Sequence, residues 1–126
     1  MHSHLSDLAD AVMCERLALA DLSAWLEIED LVVRQGDDRH VSRVTRRVGE
    51  AFAALRTSSL ARAVAGDRAA AALGLPPAST LAELAGAAPE PWRSMLVEHR
   101  AAMRTSTRQV STLVVESREV LAGLPC

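Results

Sequence analysis

Gln35-Gly36-Asp37 interrupts what would otherwise be a single apolar pattern from Leu5 to Leu60, and no other stretch constrains the fold as much. Before it, Leu5, Leu8, Val12, Leu19, Leu22, Leu26 and Val33 recur at three- and four-residue steps, the period of a helix with one buried face. Met13, Leu17, Ala24, Ile28 and Leu31 widen that stripe. After it, Val41, Val44, Val48, Ala51 or Phe52, Leu55 and, more loosely, Leu60 and Val64 repeat the period. Gly36 suits the left-handed position that ends a helix, and Arg34 suits the negative end of the helix dipole. So short a connection makes the two helices antiparallel neighbours. Ser3 or Ser6 is the expected cap of the first helix, and Asp37 or Asp38 that of the second.

Downstream, Gly66-Asp67 breaks the pattern, and Asp67 is expected to cap a short helix from Arg68 to Leu73. Leu75-Pro76-Pro77 cannot continue it, because proline lacks the backbone donor and pushes the preceding residue out of helical geometry. Thr80 with Glu83 forms a capping box that predicts a helix over Leu81 to Ala87. Pro91 opens the last long helix, whose stripe reads Leu96, His99, Met103, Ser106, Val110, Leu113, Ser117, Val120 and Leu124. Trp25, Phe52 and Trp92 are the only aromatics, and the 49% apolar content is mainly Ala, Leu and Val, which favours helix on helix over a sheet core. The expected fold is all-α: an antiparallel bundle of three long helices at about 4–35, 38–65 and 91–122, with one or two short helices in the 67–88 connector. Residues 1–126 are expected to form one domain.

All fourteen basic residues are Arg, and the net charge of −2 argues against nucleic-acid binding driven by phosphate neutralisation. Charge is unevenly spread: acids dominate residues 1–36, while Arg39, Arg43, Arg46 and Arg47 share one face of the second helix. Folding back at Gly36 places Glu27, Glu29 and Asp30 opposite Arg43, Arg46 and Arg47, so compensation within the chain is the expected use of those charges. Glu15 and Glu29 on the core-side stripe are read as ion-pair partners of Arg on a neighbouring helix or as a stripe edge left in water. His2 and His4 lie at the amino end, and neither His40 nor His99 has a partner at metal-ligand spacing. Cys14 and Cys126 make neither a disulfide framework nor a metal site. Phosphate-cradling glycine motifs and nucleophile motifs are absent, so the sequence points to no enzyme, no metal and no cofactor. With no leader-like or bilayer-spanning segment, a cytoplasmic location and no membrane insertion are expected.

The run LSAWLEIEDLVVRQGDDRHVSRVTRRVGEAFAAL, followed by Arg62 and ALGLPPASTLAELA, resembles the FlgN-type flagellar export chaperones. In that family a leucine-rich first helix ends in glutamates, an apolar pair and a Gly-Asp turn. A second helix, a short Leu-Gly segment, a Thr-Leu-x-x-Leu helix and a long final helix follow. Glu27, Glu29, Leu31, Gly36, Asp37, Leu55, Leu73, Gly74, Thr80, Leu81 and Leu84 stand where the pattern places them, and the order of elements matches from about Leu5 to Leu121. The last helix departs from the family by lacking asparagines; Thr107 to Leu113 (TRQVSTL) occupies the corresponding zone.

The resemblance implies a cytoplasmic export chaperone. It would bind the carboxyl-terminal helical segment of flagellar hook-associated (hook-filament junction) proteins, prevent their premature assembly and deliver them to the type III export apparatus. On this view Val110, Leu113, Val114, Ser117, Val120 and Leu121 carry partner recognition, while Glu27, Glu29, Gly36, Asp37, Arg43, Arg46 and Arg47 form the hairpin scaffold. A coiled-coil module that self-associates as a homodimer through the same apolar stripe is the alternative.

Overall fold

The computed structural model describes residues 2–122, with side chains from 3 to 116. Its four elements are all helices: α1 (His2–Arg34), α2 (Asp38–Ala72), α3 (Leu81–Ala87) and α4 (Trp92–Ala122). The chain thus forms the expected helical bundle of three long helices and one short connector helix. Among the described residues, no helix is long and apolar enough to cross a membrane.

Both long helices that precede a connection end in the same way. Gly36 adopts φ 67°, its N–H donates to the Val33 carbonyl and that of Asp37 to the Val32 carbonyl, each at 3.1 Å. Gly74 adopts φ 75°, with Gly74 N–H on Ala71 O at 3.3 Å and Leu75 N–H on Ala70 O at 2.8 Å. This pair of bonds satisfies carbonyls that the end of a helix would leave open, and it needs a residue that tolerates positive φ. The Thr80–Glu83 capping box forms as expected: Glu83 N–H donates to Thr80 Oγ1 at 3.1 Å and Thr80 N–H to Glu83 Oε1 at 2.9 Å.

Several local expectations are corrected. α1 already includes Ser3 and Ser6, so neither caps it. Asp37 stands at the amino end of α2 but makes no capping bond through its side chain; its carboxylate instead meets His40 Nδ1 at 2.8 Å. Gly66-Asp67 does not interrupt α2, which continues to Ala72 in place of a separate helix from Arg68 to Leu73. A glycine inside a helix costs only about 1 kcal/mol, and the packing of Ala69 and Ala70, both fully buried, outweighs it. Asp67 serves the following loop: its carboxylate accepts the N–H of Ala78 at 2.8 Å, holding that residue at φ 63°.

The widened stripe of α1 is also corrected. Met13, Leu17, Ile28 and Leu31 are 41, 63, 40 and 57% exposed and line the outer face of α1. The narrower stripe is the one that packs. α1 is the middle helix, in contact with both α2 and α4, whereas among the described residues no Cα of α2 comes within 8 Å of one of α4. α3 lies on α4 and also reaches α2.

The buried side chains form two apolar clusters along the bundle. One gathers Leu5, Leu8, Val12, Ala69, Ala70, Leu84, Ala85, Ala88 and Leu96, at the end where α3 lies. The other gathers Leu19, Leu22, Leu26, Val44, Val48, Ala51 and Val110, near the α1–α2 turn. Met103 packs against both.

Candidate functional site

Because α1 holds α2 and α4 apart, a cleft runs between them. Glu15 and Leu19 of α1 floor its first compartment, of about 310 Å³; Leu55, Ser59 and Arg62 of α2 and Met103, Thr107, Val110 and Ser111 of α4 are its walls. Toward α3 the cleft continues into a compartment of about 420 Å³ lined by Arg62, Leu81, Arg100, Met103, Arg104, Thr107 and Arg108. Both compartments combine apolar side chains with polar and basic rims. Such a lining suits an amphipathic segment better than a small polar substrate.

A belt of polar pairs crosses the bundle at the level of this cleft. Arg62 Nε donates to Glu15 Oε1 at 2.8 Å, and the Glu15 side chain is only 3% exposed. A carboxylate so far from water is tolerated because the guanidinium meets it directly. On the α4 side, Arg16 Nη1 lies 2.8 Å from His99 Nδ1. Arginine can only donate, so Nδ1 is the acceptor and the neutral ring carries its proton on Nε2. Burial lowers the pKa of His99 below its usual 6.5, Arg16 lowers it further, and Glu98 opposes them. His99 is therefore a neutral, buried link in the belt.

The expected hairpin scaffold is only partly realised. Gly36 and Asp37 make the turn described above. The facing acids and arginines do not pair: Glu29 accepts from Thr45 Oγ1 at 3.3 Å, Glu27 from Gln109 Nε2 of α4 at 3.4 Å, and Asp30 pairs with Arg34 in its own helix at 2.9 Å. Arg47 reaches Glu50 at 3.3 Å and lies 5.9 Å from the centre of the Trp25 ring. Arg43 and Arg46 are exposed, with no ion pair among the described residues. The two helices are joined by their apolar stripes, and none of these acids forms an ion pair with an arginine of the facing helix.

Of the expected recognition residues, Val110 is a buried member of the core near the turn, and Leu113 and Val114 pack against it. The side chains of Ser117, Val120 and Leu121 lie outside the described residues. What sequence reasoning missed are the cleft residues Arg62, Arg100, Met103, Arg104, Thr107 and Arg108. The four-residue spacing of Arg100, Arg104 and Arg108 is legible in the sequence; the gap that they border is not. Among the described residues no group of three or more His, Cys, Asp or Glu could hold a metal ion, and Cys14 is a free, exposed thiol.

Compared with protein-family models, with curated proteins and with solved structures, the chain gives no significant match.

Proposed function

We propose that this protein is a cytoplasmic export chaperone of the FlgN type. It binds the carboxyl-terminal helical segment of hook-associated proteins, keeps them from assembling early and hands them to the flagellar type III export apparatus. It acts by holding its partner, without making or breaking bonds. The observation that carries the proposal is the cleft between α2 and α4, which no described element of the chain fills and whose walls mix Leu55, Met103 and Val110 with polar rims. A partner helix laid there would complete the bundle and hide its own apolar face. The order of helices, the Gly36 turn, the Thr80 box and the long final helix support the same proposal.

The test is co-purification with a hook-associated protein after Ser111→Arg and Val115→Arg. Both residues are exposed; Ser111 lines the first compartment and Val115 stands one turn further along α4, so these changes leave the core intact. Binding is expected to be lost with helical content unchanged; full retention would place recognition elsewhere. Leu113 is a poor probe, because it packs against the core near the turn.

A second proposal is favoured by the outer face of α1, where Met13, Leu17, Ile28 and Leu31 form an exposed apolar stripe. A self-associating module would dimerise through it. Sedimentation separates the two: a tight dimer indifferent to hook-associated proteins favours self-association.

A further inference from the structure

Arg100, Arg104 and Arg108 follow one another at four-residue steps along the α4 wall of the cleft. A helix rises about 1.5 Å per residue, so the three guanidinium groups form a ladder with rungs about 6 Å apart. All three are exposed, and none has an acid partner among the described residues. The fourth arginine of this region, Arg62, is already neutralised by Glu15. The large compartment therefore carries uncompensated positive charge beside an apolar floor of Leu81 and Met103.

From this juxtaposition we infer that the cleft is specific for an acidic amphipathic helix, whose carboxylates at four-residue steps pair with Arg100, Arg104 and Arg108 while its apolar face lies on Met103 and Leu81. A helix laid along α4 repeats the same rise, so its carboxylates meet the ladder in register. The apolar floor is what favours a helix over a nucleic-acid backbone, which would have no use for Leu81 and Met103. The inference rests on the proposal that the cleft binds a partner helix, and it adds the partner's charge.

The test uses the full chain and three labelled 20-residue amphipathic peptides that share one leucine face. They carry Glu, Gln or Lys at three flanking positions spaced by four. By fluorescence anisotropy, the Glu peptide is expected to bind about tenfold more tightly than the Gln peptide, the combined effect of three partly exposed ion pairs. The Lys peptide is expected to bind least. Reversing the ladder with Arg100→Glu, Arg104→Glu and Arg108→Glu should exchange the ranking of the Glu and Lys peptides, with circular dichroism unchanged. Equal affinity for the Glu and Gln peptides, or a ranking that the reversal leaves intact, overturns the inference. So does tighter binding of a labelled oligonucleotide, or a dimer that the reversal dissolves, which would give the cleft to a second copy. Failure here is distinct from failure of the chaperone proposal. A hook-associated protein that still co-purifies with the charge-reversed chain removes only the ladder's role. A Glu peptide that binds while no hook-associated protein does removes only the flagellar assignment.

Discussion

The two ends of this bundle are built from the same three helices, yet they are sealed to different degrees. At the end where α3 lies, no buried member of the cluster is more than 2% exposed. Near the α1–α2 turn, every member except Leu22 is 3 to 9% exposed. The difference comes from one seven-residue helix. α3 contacts both α4 and α2 and so bridges a gap that those helices never close themselves. Beyond its reach the gap persists as the cleft. The cleft therefore needs no elaborate device, only a short helix that covers one end and leaves the rest open.

The comparison can be broken most sharply by equal truncations at the two ends. Leu5→Ala, in the sealed cluster, is expected to destabilise the protein by roughly 4 kcal/mol, and Leu19→Ala, beside the cleft, by about 2 kcal/mol, because a site next to open space loses fewer contacts. Urea midpoints measure both, and equal losses would mean that the two ends are packed alike.

The polar belt between the ends should respond less than the sealed cluster. Arg62→Leu strips Glu15 of its partner, and since the Arg62 side chain is 35% exposed, water can replace part of the interaction. The expected loss is about 2 kcal/mol, and the double replacement Glu15→Leu with Arg62→Leu should recover most of it. A double variant no more stable than the single one would show that the pair is not the source of the loss.

Smaller again is the effect of pH through His99. Burial and Arg16 depress its folded-state pKa below 6.5. As pH falls, the unfolded chain takes up the proton first. The stability contributed by neutral His99 is thus fully present above about pH 6.5 and is lost as pH drops through the folded pKa. His99→Gln should flatten that part of the stability profile relative to the parent, as followed by urea midpoints at about pH 7.5 and pH 5. An unchanged slope would mean that the ring is not held neutral.

Much of this architecture was legible in the sequence, because it rests on local chemistry. The period of Leu8, Leu22 and Val48 marks buried faces, Gly36 marks a turn, and Thr80 with Glu83 marks a helix start. The misreadings share a physical cause: a local signal was overruled by packing. Gly66 looks like a stop but stays helical because Ala69 and Ala70 must reach the core. Met13 and Leu17 look like core but face outward, since one side of α1 meets both neighbours. Glu15 reads correctly as the partner of an Arg on a neighbouring helix, but the belt joins residues 47 and 83 positions apart, and no spacing rule names which Arg or His will be met. The cleft is the least legible feature, because periodicity fixes which face is apolar and leaves open how far apart two helices on a common third will stand.

The most direct measurement fills that space. Thr107 lies exposed on α4 where the two compartments of the cleft meet, so Thr107→Trp would occupy the cleft without removing a buried side chain. Titration calorimetry with the carboxyl-terminal helical segment of a hook-associated protein is expected to show affinity reduced about a hundredfold, with the thermal midpoint unchanged. Undiminished affinity with tryptophan lodged between α2 and α4 would contradict the account, because the partner would then be bound somewhere else.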